Sequence, residues 1–175
     1  MNYAEIKTFD VANGPGIRVS LFVSGCNHRC PGCFNEQAWD FNFGQPFTQE
    51  TINYIIDTLS FGAYQGVTFL GGEPMGPVNQ KGLLPLARKI KETYPEKDIW
   101  CFTGYDFEKD IIGHMYNECP ETKELLSYID VLVDGPFIEA QKNLNLVFRG
   151  SENQRLIRIP ETLKTGNIVL WEKEM

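Results

Sequence analysis

Apolar positions along the chain follow two rhythms. Ile17, Val19, Leu21 and Val23 alternate with Arg18, Ser20 and Phe22, which predicts a strand over 17–23. Ile52, Ile55, Ile56 and Leu59 recur at helical spacing. Thr48 supplies an N-cap and Glu50 an acidic first turn, so the pattern predicts a helix over 49–60. Val67–Leu70, after Gly66, reads as a second strand, and Leu83, Ala87 and Ile90 as a helix ended by Pro95. Ile99–Thr103 is a strand broken by Gly104, followed by a helix over Phe107–Tyr116 with Ile111, Ile112 and Met115 inward. A helix over Glu121–Tyr128 and a strand over Ile129–Val133 come next, then strands at Arg155–Ile159 and Ile168–Trp171. Residues 1–16 read as a lead-in ending in the turn-prone Asn13-Gly14-Pro15-Gly16, and Phe34–Phe47 admits only a short helix at Glu36–Trp39.

Strands alternating with helices imply right-handed βαβ units and a largely parallel sheet. Ligands of such sheets bind outside the carboxyl ends of the strands. The cysteines, Gly71–Glu73, Thr103-Gly104 and Asp134-Gly135 all fall at that end. At 175 residues and 42% apolar, the chain suits one domain, 1–175, with a real core. A net charge of −7 argues against a nucleic-acid binder driven by phosphate neutralisation, and the scattered late cations (Lys142, Arg149, Arg155, Arg158) read as solvated surface. No run approaches the roughly 18 apolar residues of a membrane helix. Glu5, Lys7 and Asp10 stand where a signal peptide needs its apolar segment, so a reducing cytoplasmic location is expected.

The chemistry concentrates in Ser24–Asn35, SGCNHRCPGCFN. Cys26, Cys30 and Cys33 fall within eight residues, a density that points to metal and not to disulfides in a reducing compartment. CxxxCxxC supplies three soft ligands and no fourth. Structural zinc wants four closed ligands, whereas an iron–sulfur cluster with one unligated iron can bind a small molecule. Pro31 pushes Cys30 towards extended backbone, so the three cysteines do not share a helix face. His28, inside the loop, is the alternative fourth ligand of a Cys3His zinc site. Cys101 alternates with apolar neighbours and reads as core, and Cys119 has no partner in sequence.

CxxxCxxC after one strand and Gly71-Gly72-Glu73-Pro74 after the next resemble the radical S-adenosylmethionine superfamily. Within it, the chain is most similar to the activating proteins of anaerobic ribonucleoside-triphosphate reductases. That closer match rests on Asn13–Gly16, Trp100–Tyr105 (WCFTGY), Val131–Phe137 (VLVDGPF) and Arg149–Arg155 (RGSENQR), and it runs to about Ile159.

The resemblance implies an open, partial (β/α)6-type barrel with Cys26, Cys30 and Cys33 on a [4Fe–4S] cluster. The fourth iron would chelate the amino and carboxylate groups of S-adenosylmethionine. Gly71, Gly72 and Glu73 would receive its ammonium, with the glycines letting carbonyls approach and Glu73 adding a charged acceptor. Superfamily members often carry an aromatic before the third cysteine, near the adenine. Here that position is Gly32, so the backbone from Gly32 through Cys33 to Phe34, with the Phe34 ring, is the expected replacement. Thr103 and Asp134 are candidates for the ribose or carboxylate region, although Asp134 equally suits a turn cap. The implied partners are a large anaerobic ribonucleoside-triphosphate reductase subunit and a low-potential electron donor. A homodimer and a complex with the reductase both stay open, as does the role of Pro160–Met175. Competing readings are an activase of another glycyl-radical enzyme, a small-molecule radical enzyme, and a non-enzymatic zinc or thiol-redox module built on Cys30-Pro31-Gly32-Cys33.

Overall fold

The computed structural model describes residues 1–173. β1 (Asn2–Asp10) leads into β2 (Ile17–Val23), and a 3-10 turn at Glu36–Trp39 and the two-residue β3 (Gln45–Pro46) precede α1 (Gln49–Thr58). β4 (Tyr64–Gly71), α2 (Pro77–Thr93) and β5 (Asp98–Phe102) follow. A π-helical segment, Phe107–Met115, runs into the single turn α3 (Tyr116–Glu118). Then come α4 (Thr122–Tyr128), β6 (Val131–Asp134), a 3-10 turn at Glu139–Gln141, β7 (Arg155–Arg158) and α5 (Ile159–Thr165). The strands form one mixed sheet in the order β3-β1-β2-β4-β5-β6-β7. No helix among the described residues is long and apolar enough to cross a membrane.

Only the central strands β2, β4, β5 and β6 are parallel; β1, β3 and β7 add antiparallel edges, which corrects the expectation of a largely parallel sheet. The lead-in is also more structured than expected, since β1 pairs with β2 over most of its length. Two register shifts break its period of two, and apart from the buried Asp10 its side chains are only half-buried or exposed. Residues 168–171 form a single bridge, Leu170 to Ile157, where a strand was expected, while α5 was not anticipated. Its signals were nonetheless present: Pro160 in the first turn and Gly166 just past the end at φ +75°. The last two residues of the expected 160–175 extension lie outside the described residues.

The sheet has two different faces. Val19, Leu21, Val67, Phe69, Ile99, Cys101, Leu132 and Ile157 stand in register across five strands and pack under the helices, with Ile55, Leu83, Leu86, Ile90, Ile111 and Leu125. α1 begins as expected: Thr48 and Thr51 form reciprocal capping bonds. The opposite face carries Trp100, Val131, Val133 and Leu156 against Phe102, Phe148 and Trp171. Arg18 is fully buried on that face, beneath Trp100. Its guanidinium donates to Thr68 Oγ1 at 2.8 Å, to the Pro15 and Val67 carbonyls at 3.1 and 2.9 Å, and to Asp98 Oδ1 at 2.5 Å.

A buried guanidinium is tolerable only while its counter-charge and acceptors are present. Asp98→Ala is therefore expected to lower unfolding free energy by ~3 kcal/mol in urea denaturation, because it strands the Arg18 charge. The double variant Arg18→Met/Asp98→Ala should recover more than half of that loss; additive losses would mean that the two residues act independently.

Candidate metal centre

β2 and β4 are parallel neighbours that end side by side, at Val23 and Gly71. The chain leaving β2 enters the cysteine loop, and the chain leaving β4 enters the Gly-Gly-Glu turn. The two exits are hydrogen-bonded to each other: Gly72 N–H donates to the Val23 carbonyl at 2.7 Å and Glu73 N–H to the Gly25 carbonyl at 2.8 Å. A side chain on residue 72 would place its Cβ 2.6 Å from the Gly25 carbonyl oxygen, and one on residue 71 would sit 2.6 Å from the Val23 backbone at φ +106°. Gly71-Gly72 is thus what lets the two loops touch. Asn79, in the first turns of α2, reinforces the junction by donating through Nδ2 to the Ser24 and Glu73 carbonyls at 3.0 and 2.9 Å.

Glu73 does not point into solvent: it is 2% exposed. Its carboxylate accepts from His28 Nε2 at 2.6 Å, Gly104 N–H at 2.7 Å, Met75 N–H at 2.8 Å and the Thr103 hydroxyl at 2.8–2.9 Å. Four donors fill the roughly four lone-pair sites of an ionised carboxylate. The Gly72 carbonyl, by contrast, accepts no hydrogen bond from the described residues.

A cleft of about 390 Å³ opens here, on the sheet face away from the helices. Cys26, Cys30, Cys33, Phe34, Gly71, Gly72, Glu73 and Thr103 all line it. Gly32 and Asp134 do not. Gly32 turns at φ +77° with its open side against the Glu139 side chain. Asp134 is buried below the rim, where its carboxylate accepts from Phe107 N–H at 2.9 Å and is paired with Arg155 at 2.6 Å. Phe34 stands on the rim and is 93% exposed.

The far wall is residues 137–154, where Phe137, Leu146, Phe148, Arg149 and Gln154 face the cleft. This wall is held by its own polar groups. Gln154 Oε1 accepts from Gly150 N–H and Ser151 N–H at 2.9 and 3.1 Å, and its Nε2 donates to the Gly135 carbonyl at 3.0 Å. Asn153 Nδ2 donates to the Pro136 carbonyl at 2.8 Å. The stretch RGSENQR is therefore a self-bonded loop pinned to Asp134-Gly135-Pro136. Arg155 at its end also pairs with Glu108 at 2.6 Å. The two carboxylates raise the Arg155 pKa, and Arg155 in turn lowers that of Glu108. Asp106, Glu108 and Asp134 come close enough together to suggest a cation site, but Arg155 already supplies the cation.

The three loop cysteines are free and half-buried. Burial pushes the Cys26 thiol up and the Glu73 charge adds to this, against the backbone N–H groups of His28 and Arg29. A thiolate there needs a strong positive centre, which a metal supplies. The donor spacing distinguishes the candidates. Ligands around one tetrahedral zinc at Zn–S of about 2.3 Å lie about 3.8 Å apart. Among the described residues, neither the three thiols nor any set with His28 gathers within 4.8 Å. His28 Nε2 is moreover committed to Glu73. Three soft donors spread around one end of a cleft fit an iron–sulfur cluster, in which each ligand holds a different iron.

Sequence reasoning did not reach Asn79 or the Glu73-centred network. An asparagine in a first helical turn reads as a cap, and nothing local links residue 28 to residues 73 and 103.

Residues 12–157 match the family model described as a 4Fe-4S single cluster domain. The chain is 44% identical over 158 residues to the anaerobic ribonucleoside-triphosphate reductase-activating protein of Enterobacteria phage T4, covering 89% of this chain and 93% of that protein. It is 42% identical over 162 residues to the protein of the same name from Haemophilus influenzae, covering 90% and 98%. The Escherichia coli protein of that name is 41% identical over 156 residues, covering 88% and 96%. With the cysteine loop, the glycine-acid turn and the cleft between them, these likenesses show that the chain belongs to the 4Fe–4S family of anaerobic ribonucleoside-triphosphate reductase-activating proteins.

Proposed function

We propose that this protein is an activase that installs a glycyl radical on an anaerobic ribonucleoside-triphosphate reductase. The observation that carries the reading is a single cleft lined by Cys26, Cys30 and Cys33 at one end and by the Gly-Gly-Glu turn beside them. When bound, the [4Fe–4S] cluster supplies one electron to S-adenosylmethionine, giving methionine and a 5′-deoxyadenosyl radical that removes hydrogen from a glycine Cα of the reductase.

The protein's share is to bind, orient and exclude. Cys26, Cys30 and Cys33 hold the cluster and leave one iron without a protein ligand. The Gly72 carbonyl, unpartnered among the described residues and beside Gly71, accepts from the methionine ammonium, while Glu73 contributes its negative charge from just below. Thr103 reaches this region through Glu73, and Asp134 through the wall loop that Arg155 ties to it. The adenine lies against the backbone of Cys33 and Phe34 and is covered by the exposed Phe34 ring on the rim, without the expected contribution of Gly32. We read residues 1–175 as one radical-S-adenosylmethionine domain. Helices on one face and the cleft on the other support an open, partial (β/α)6-type barrel, whose mouth suits a peptide loop of the reductase. A low-potential electron donor and a cytoplasmic setting complete the reading.

The direct test is anaerobic reconstitution with iron and sulfide, followed by EPR of the reduced protein. The expected result is about four irons per chain and a signal perturbed by S-adenosylmethionine. Cys26→Ala, Cys30→Ala and Cys33→Ala should each lose the cluster, while Cys101→Ala and Cys119→Ser keep it. Tight zinc with no cluster, or loss confined to the Cys101 variant, would overturn the reading. Phe34→Ala should keep the iron and weaken S-adenosylmethionine binding by about 10-fold, the magnitude of one base–aromatic stack. Unchanged affinity in an EPR-monitored titration would place the adenine elsewhere.

A further inference from the structure

The cysteine loop makes few connections to the rest of the fold. Gly25 N–H and Cys26 N–H donate to the Ala38 and Trp39 carbonyls, at the loop's first residues. Among the described residues, residues 27–32 make one hydrogen bond to a residue outside the loop, His28 Nε2 to Glu73 Oε1 at 2.6 Å, beside the Arg29 guanidinium over the Trp39 ring at 5.4 Å. Because that partner is a carboxylate already receiving three other donors, Nε2 carries the proton and donates.

The seat of the His28 ring is built from the end of β5. Tyr105 meets the ring edge-on with centroids 4.4 Å apart. A Cβ on residue 104 would stand 2.8 Å from His28 Cδ2, so only glycine leaves room for the imidazole. Thr103 and Gly104 hold the carboxylate that His28 grips, and Tyr105 N–H donates to the Thr103 hydroxyl at 3.1 Å. Every residue of Thr103-Gly104-Tyr105 thus serves one arrangement, in which the ring strut from the cysteine loop is clamped between β4 and β5.

We infer that His28 is a positioning residue. Through Glu73 it fixes the cysteine loop against the Gly-Gly-Glu turn, and so sets the distance between the cluster and the group that receives the methionine ammonium. Its Nε2 is committed to Glu73 and so is not a metal ligand. This rests on the activase reading, and it adds a requirement that the three cysteines alone do not meet: a cluster can form on a loosened loop, yet S-adenosylmethionine must reach the open iron and the turn together.

The test uses His28→Ala and His28→Gln, since the glutamine Nε2 lies the same number of bonds from the backbone as the imidazole Nε2. Both variants should load about four irons, as in the parent protein. His28→Ala should need at least ~10-fold more S-adenosylmethionine to perturb the EPR signal, as expected for loss of an outer-shell support, and His28→Gln should restore most of that. In the cluster-free protein, trypsin should cut after the exposed Arg29 about 10-fold faster in His28→Ala than in the parent, and His28→Gln should again be protected. Parent-like titration and proteolysis in His28→Ala would overturn the inference. Iron loss in both variants would make His28 a ligand or a folding residue, and equal weakening in both would remove the hydrogen bond from the account. If the parent protein itself shows no response to S-adenosylmethionine, it is the activase reading that fails.

Discussion

The site depends on one buried negative charge. Removing a carboxylate from water is costly unless every lone pair finds a donor. Glu73 meets that requirement with groups from three separate pieces of chain: the cysteine loop through His28, its own turn through Met75, and the end of β5 through Thr103 and Gly104. Satisfying the charge therefore forces those pieces into one place. The same turn hands its backbone to Asn79 and to the Val23 and Gly25 carbonyls. What binds the loops together is polar and directional, where the helix-facing side of the sheet relies on close-packed apolar side chains.

That division explains which parts of the fold could be read from the sequence. β2 was legible from apolar residues at period two, β4, β5 and β6 from short apolar runs, and α1 and α2 from helical spacing. On the face opposite the helices, the β2 and β4 positions include Arg18, Ser20 and Thr68, polar residues that are nonetheless buried. Arg18 is acceptable there because acceptors from Pro15 and from Val67 and Thr68 of β4, together with the Asp98 charge, converge on it. No local pattern encodes that convergence. β1 was missed for a related reason: the bulges that let it follow β2 break the alternation by which a strand is recognised. β1 and β2 are antiparallel because the short turn over 11–16 folds the chain straight back, β6 and β7 are joined by the long loop 135–154 without an α-helix, and the helical crossovers that parallel pairing requires join only the central strands.

The chemistry was more legible than the geometry. Three cysteines in eight residues and a Gly-Gly-Glu turn announce their type from sequence, and the cleft brings them together. Whether a polar side chain faces that cleft or a neighbour is decided by partners far away. Thr103 follows β5 and Asp134 ends β6, yet Thr103 turns to a glutamate 30 residues away and Asp134 to an arginine 21 residues on. The same holds for His28, whose placement between cysteines suggests a ligand and whose ring nitrogen instead serves Glu73.

The two walls of the cleft differ in how they are built, and the difference bears on what can enter. The wall of strand ends is tied into the sheet by backbone bonds and cannot move without breaking the core. The wall of residues 137–154 is held by Gln154, Asn153 and the Arg155 pairs with Asp134 and Glu108 at its base, and by Phe148 packed against Trp100 and Trp171. Its tip carries Leu144 almost fully exposed, and Phe34 faces solvent on the cysteine side. Large apolar groups left uncovered around a functional mouth favour contact with another protein surface. A small-molecule enzyme gains from enclosing its substrate, whereas this fold fixes one wall by backbone bonds, holds the other by side-chain contacts and leaves apolar residues open. That construction suits a substrate that arrives as part of a folded partner and closes the cleft with its own surface.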